Sequence, residues 1–169
     1  LVLRRQRQMC IRDRGYTDCY FRSLVENIYG NKVFTFSEMI VDKAIIYNEM
    51  KTIGKHFLEK NKSAIQIAGS DPEEIHRAIN ILNKVDSIKH INFNLGCPSS
   101  RVQENMLGLA LTQNYDLVKK CLFELLNYKK EVSVKCRLGL GMSEDKSYIF
   151  NYLKLFSDIG IKKVFKSII

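Results

Sequence analysis

From residue 33 to the end of the chain, short apolar runs alternate with longer stretches whose apolar residues return every three or four positions. The short runs predict strands at 33–38, 64–68, 90–95, 132–136 and 162–166. The longer ones predict helices. Asp71 is placed to cap one of them, Pro72 suits its first position, and Glu74 occupies the capping-box site. Ile75, Ala78, Ile79, Leu82 and Val85 then line one face. A second helix runs from about Tyr115 to Tyr128, with Leu117, Val118, Cys121, Leu122, Leu125 and Leu126 on one side. A third begins near Ser143 and ends at Gly160, a natural residue for the turn after a helix. Thr17 to Tyr29 predicts a helix ahead of the first strand.

Strands and helices in strict alternation, joined by short connections, predict an α/β fold built on a parallel sheet. Parity within the strands separates two versions of it. Ile65 and Ile67 oppose Gln66; Ile91, Phe93 and Leu95 oppose Asn92 and Asn94; Val132 and Val134 oppose Ser133 and Lys135. An open doubly wound sheet is covered by helices and apolar on both faces. One apolar face and one polar face fit a (β/α)8 TIM barrel, whose inner positions near the rim build a site. The expectation is a partial barrel. Residues 1–14 carry neither period and are expected to be foreign to the domain, an adapter sequence read in frame; a natural basic arm that binds RNA is the alternative. The chain also stops in or just after a strand, so 15–169 is expected to be a barrel domain incomplete at both ends.

Charge and composition narrow the function only modestly. The formal net charge is +9, and five arginines against Asp13 put +4 of it in residues 1–14. The remaining +5 suits RNA, a phosphate-bearing cofactor or other anions, and equally suits solvated lysine-rich helix faces. No apolar run approaches the ~18 residues of a membrane span, and no signal-peptide core follows the N-terminal arginines. The five cysteines form no CxxC pair and no zinc spacing with histidine, so no metal is expected, and reduced thiols point to the cytoplasm.

One cysteine stands apart. Cys97 follows the strand 90–95 directly, between Gly96 and Pro98, in a loop rather than on an apolar stripe. The ends of parallel strands are where such folds place reactive groups. Gln66 and Lys135 sit at matching inward positions of the neighbouring strands, and Arg137 shares the parity of Lys135. The plain alternatives are a small core thiol, a satisfied interior amide and a barrel-end ion pair of Lys135 with Glu38. Cys121 and Cys136 fall at apolar positions and are expected in the core. His56, His76 and His90 are expected at the surface or at strand edges.

The chain resembles the tRNA-dihydrouridine synthases, the flavin-dependent enzymes that reduce uridine in the tRNA D-loop, and within them the DusA-type subgroup. The resemblance rests on Gly15-Tyr16-Thr17-Asp18 leading into Phe21-Arg22, on Phe36-Ser37-Glu38-Met39, and on the run from Ala64 to Pro72. Ile91-Asn92-Phe93-Asn94-Leu95-Gly96-Cys97-Pro98-Ser99, Arg101-Val102-Gln103 and the run from Val134 to Gly139 complete it, in family order over roughly residues 15–165. A related flavin barrel of the dihydroorotate dehydrogenase kind is the nearest alternative, but its loop typically reads Asn-x-Ser-Cys-Pro-Asn, against Gly96 and Ser99 here. A non-catalytic RNA-binding barrel is the alternative of another class.

The resemblance implies an NAD(P)H- and FMN-dependent oxidoreductase, acting as a monomer on tRNA with NADPH as reductant. Reduced flavin would give hydride to C6 of uracil and Cys97 would protonate C5, as an ordinary thiol remains protonated at working pH. Gln66 and Lys135 would hold FMN, Asn94 would contact the extruded uridine, and Arg101 the tRNA. The resemblance also implies that residues 1–14 replace the family's first strand, and that its phosphate-binding loops and helical tRNA-binding domain lie beyond this sequence. These 169 residues alone are therefore expected to be inactive. One departure concerns the active-site loop: the family's Asn-Gly-x-Phe-Gly-Ala-Cys is here Glu104-Asn105-Met106-Leu107-Gly108-Leu109-Ala110, and the glycine that would give the loop its freedom is replaced by Asn105, which still tolerates a left-handed conformation.

Overall fold

In the computed structural model, residues 9–11, 17–56, 63–137 and 146–166 are described. Most of the arginine-rich N-terminal segment, Gly15, Tyr16, Leu138, Gly139 and the expected helix start near Ser143 lie outside these residues. The elements in chain order are β1 (Met9–Ile11), α1 (Cys19–Tyr29), β2 (Val33–Thr35), β3 (Ile40–Val41), α2 (Asp42–Tyr47), α3 (Glu49–His56) and β4 (Ile65–Ala68). There follow α4 (Pro72–Leu82), β5 (His90–Leu95), α5 (Ser100–Gln103), α6 (Tyr115–Leu125), β6 (Glu131–Cys136), α7 (Lys146–Asp158) and β7 (Lys163–Lys166).

All the strand pairs are parallel. β1 pairs with β2, β3 to β7 pair in sequence order, and a bridge between Phe36 and Ala64 joins the two groups. The sheet curls. Phe36 beside β2 and Phe165 on β7 would stand roughly 19 Å apart across four strand spacings of a flat sheet. Their ring centroids are 4.9 Å apart, and Phe34 stacks on Phe165 at 5.6 Å. Only a sheet wrapped around its polar face brings these rings together. The fold is part of a (β/α)8 barrel, with inward side chains meeting across its axis.

The outward face carries the core. Ile65, Ile67, Ile91, Phe93, Leu95 and Val134 pack against Ile75, Ile79 and Leu82 of α4 and Val118, Leu122 and Leu125 of α6. Helix ends follow the sequence signals with one exception. Asp71 caps α4 through the Glu73 amide, whereas Glu74 turns aside to Lys43 at 3.6 Å. Gly160, at φ +87°, closes α7: Ile161 N–H donates to Phe156 and Gly160 N–H to Ser157, the paired bonds of a Schellman turn. α1 is anchored by fully buried Arg22, which donates to Ser63 Oγ and to the carbonyls of Thr17 and His56.

Two departures from the sequence pattern matter. The strand expected at 33–38 is interrupted: between the pairs Phe36↔Ala64 and Ile40↔Ile67, one strand advances four residues and the other three. Ser37 absorbs this bulge, its hydroxyl accepting the Gln66 N–H at 2.8 Å in place of a carbonyl. Beyond it Ile40 turns into the outer core, while Met39 and Val41 turn to the site described next. The second departure is β1, which stands at Met9–Ile11 where the sequence shows no period.

Candidate active site at the strand ends

Three carboxamides form a directional ladder inside the barrel. Gln66, Asn92 and Asn94 are buried, and register sets Gln66 beside Asn92 and Asn94 beside Lys135. The N–H groups of Gly96 and Cys97 donate to Asn94 Oδ1 at 3.1 and 3.0 Å. Backbone amides only donate, so they fix which end of Asn94 is oxygen. Asn94 Nδ2 must then donate, and does so to Gln66 Oε1 at 2.8 Å. Gln66 Nε2 donates to Asn92 Oδ1 at 2.7 Å, and Asn92 Nδ2 to Ser133 Oγ at 2.8 Å. The first turn of the Cys97 loop thus orients every amide beneath it.

At the lower end His90 Nε2 lies 2.7 Å from Ser133 Oγ. This histidine is buried inside the barrel, not at a surface or strand edge, because its position in β5 shares the inward parity of Asn92 and Asn94. Burial pushes its pKa down to about 4, so it is neutral at physiological pH.

Cys97 is half-buried on the loop after β5. Its carbonyl accepts from Leu109 N–H at 3.1 Å, and Gln103 Nε2 bonds the Pro98 carbonyl. Gly108 makes this closure possible. Its φ is +60°, and a Cβ there would stand 2.8 Å from the Cys97 carbonyl oxygen and 3.1 Å from Cys97 Cβ. The left-handed residue among 104–107 is Met106 (φ 54°), not Asn105. Asn105 instead donates from Nδ2 to the Arg101 carbonyl, closing the end of α5.

Cys97 opens onto a cavity of about 750 Å³, and Arg101 lines the same space. One wall is apolar, with Met39, Val41, Val102 and Leu107, and packs with Cys97 over Ala68. The lining also includes the polar residues Glu38, Asp42, Lys43, His56 and Glu74. Gln66, Asn94 and Lys135 do not line this cavity. Gln66 and Asn94 are covered within the ladder, and half-buried Lys135 continues its layer towards β7, facing Phe165 in register. Arg137 is drawn back to the loop, donating to the Gly96 carbonyl at 2.9 Å. Cys121 and Cys136 lie in the core as expected, and burial pushes their thiols up to about 12 and about 11. Among the described residues no cluster of histidine, cysteine and carboxylates could hold a metal, and no helix is long and apolar enough to cross a membrane.

Parity gave no hint of Asp42, which stands at the start of α2. It is 2% exposed, its Oδ1 accepts from the Lys43 amide, and its Oδ2 has no hydrogen-bond partner. Gly69 leaves room for that oxygen, since a Cβ there would lie 2.2 Å from it. Burial, aided by Glu74 and Asp71, raises the carboxyl to about 6. The unfolded chain ionises near pH 4. Stability therefore falls as pH rises from about 4 to about 6, and above that the full cost of about 3 kcal/mol applies. Asp42→Asn should be more stable than the wild type by up to that amount at about pH 7.5, the gap narrowing to roughly half near pH 5. Urea unfolding of both proteins across this range measures it; a gap independent of pH would contradict it.

The family model for dihydrouridine synthase (Dus) matches residues 13–165. tRNA-dihydrouridine synthase B of Pasteurella multocida is 33% identical over 150 residues, which cover 88% of this chain and 44% of that protein. The Escherichia coli K12 protein of the same name is 31% identical over 150 residues, 88% and 46% of the two chains. tRNA-dihydrouridine(20/20a) synthase of Salmonella typhi is 27% identical over 151 residues, 89% and 45%. The chain spans about half the length of the curated relatives it matches. Both named groups are represented, so the comparisons establish the family rather than the DusA-type subgroup.

Proposed function

The chain belongs to the dihydrouridine synthase family, and from that premise we propose that it is the catalytic part of an enzyme that reduces uridine to 5,6-dihydrouridine in the tRNA D-loop. The observation that carries this reading is Cys97, held by Asn94 at the end of β5 and open to a cavity large enough for a nucleotide. Protonation of C5 requires an acid that reaches the ring while its backbone stays fixed. The two amide bonds to Asn94 and the bond from Leu109 fix that backbone.

FMN, reduced by NADPH, is the cofactor of this reading, and it would supply the hydride to C6. The inner layer fits such a ring in its chemistry. Gln66 spends one amide hydrogen and one lone pair within the ladder and keeps one of each for a ring edge. Lys135 brings a cation to the same layer, where negative charge on a reduced flavin calls for one. Asn94, covered within the ladder, would serve the uracil through the Cys97 loop that it holds, and exposed Arg101 can meet the RNA backbone where it lines the cavity. The target base must leave its stack to enter, and the apolar wall of Met39, Val41, Val102 and Leu107 gives it a surface to lie on.

The test uses the full-length protein that contains this chain. It should purify with the visible absorbance of bound flavin and form dihydrouridine on unmodified tRNA when supplied with NADPH. A colourless, correctly folded protein that takes up no FMN would sink the reading.

A further inference from the structure

The two peptide units that flank Cys97 carry three hydrogen-bonding groups, because Pro98 has no N–H. Each of the three has a partner, and the partners come from three parts of the fold. Cys97 N–H donates to Asn94 Oδ1 at 3.0 Å, and the Cys97 carbonyl accepts from Leu109 N–H at 3.1 Å. The third group, the Gly96 carbonyl, accepts from Arg137 Nε at 2.9 Å. Gly96 C=O and Cys97 N–H belong to one planar peptide unit and point in opposite directions. Asn94 and Arg137 therefore grip that plane at both ends. With the next carbonyl also held, the planes on either side of the Cys97 α-carbon are set, and with them the direction of its Cα–Cβ bond.

Arg137 follows β6 immediately and is half-buried. Gly96 lets it approach: a Cβ there would stand 3.1 Å from the Cys136 carbonyl carbon, 3.2 Å from the Arg137 amide nitrogen and 3.3 Å from Arg137 Cγ. Arg137 is not among the residues that line the cavity beside Cys97, so its bond to the loop and not a reach into that space is its visible role. We propose that Arg137 is a positioning residue for the proton donor: its bond to the Gly96 carbonyl fixes the direction in which the Cys97 thiol is presented to the cavity. This deepens the function proposed above and rests on it. A thiol on a loop without that grip still holds its proton, but spends less time in line with the ring carbon that takes it.

The experiment uses the full-length, flavin-loaded protein and two substitutions of matched length. Arg137→Met keeps an unbranched stem and removes the donor. Arg137→Gln removes the charge but carries an N–H on the atom bonded to Cδ, where arginine has Nε. On unmodified tRNA, Arg137→Met should lower kcat about 10-fold or more and leave KM within about 2-fold, the pattern of a group that acts through the reacting geometry. Arg137→Gln should restore most of kcat. Alkylation of Cys97 by iodoacetamide, mapped by mass spectrometry in the native protein, should quicken in Arg137→Met and return towards the wild-type rate in Arg137→Gln. A rise in KM at constant kcat, or equal impairment of the two variants, would make Arg137 a charge that binds RNA or flavin and overturn the inference. Wild-type kcat and alkylation in Arg137→Met would overturn it too. In each of these cases the enzyme assignment stands. A wild type that forms no dihydrouridine overturns both.

Discussion

Cys97→Ala should lower dihydrouridine formation on unmodified tRNA by at least about 10²-fold, within the ~10²–10⁴-fold range of a general acid. Flavin uptake and the unfolding midpoint should stay close to wild type. Cys97 is half-buried, and its backbone holds the loop while its side chain does not belong to the main core. The thiols of Cys19, Cys121 and Cys136 cannot substitute. Cys19, Cys121 and Cys136 are buried, and the last two are packed in the outer core with strongly raised pKa values. Cys97→Ser separates size from acidity. A hydroxyl fits the same space but releases its proton far less readily, so Ser should recover little of the rate. Product formed at the wild-type rate by either variant would remove Cys97 from the mechanism.

The parts of this site that were legible in the sequence are those governed by a strict period. Alternation alone assigned Gln66, Asn92, Asn94, Ser133 and Lys135 to the inner face, and the ladder of bonds among the first four follows from it. The same rule applied to His90 would have placed it inside, since it stands two residues before Asn92. Its charge-bearing type concealed this, as did its place at the first residue of the strand.

What alternation could not reveal lies where register changes. The bulge at Ser37 reverses parity between Phe36 and Ile40, so extrapolating the strand from 33–35 gives the wrong face for Met39 and Val41. The signal was a hydroxyl-bearing residue inside an apolar run, readable only once Gln66 N–H is known to need an acceptor. Asp42 is similar: an acidic residue at a helix start is ordinarily a solvated partner of the helix dipole. Its burial depends on Gly69, 27 residues away in sequence, having no side chain. Nothing local to either residue encodes that approach.

The ladder predicts a second large effect, at Asn94. Asn94→Ala removes the acceptor of two backbone amides and the donor to Gln66 Oε1 in one step, at a position that is 1% exposed. Each buried polar group left without a partner costs about 1–3 kcal/mol, so a loss of roughly 3 kcal/mol or more is expected in urea unfolding. The effect should be felt at the thiol as well as in the midpoint. With Asn94 gone, the Cys97 loop loses both of its bonds to the amide ladder and keeps the Leu109 bond, the packing of Gly108 and the Arg137 bond to the Gly96 carbonyl. Cys97 should then react faster with iodoacetamide under native conditions, as mapped at that residue by mass spectrometry, and reduction of tRNA uridine should fall with it. Asn94→Asp discriminates between the two halves of the ladder. An ionised carboxylate still accepts from Gly96 and Cys97 but sets an oxygen against Gln66 Oε1, so the loop should stay closed while stability drops. Wild-type stability and alkylation rate in Asn94→Ala would show that the loop, and not the amide ladder beneath it, holds Cys97 in place.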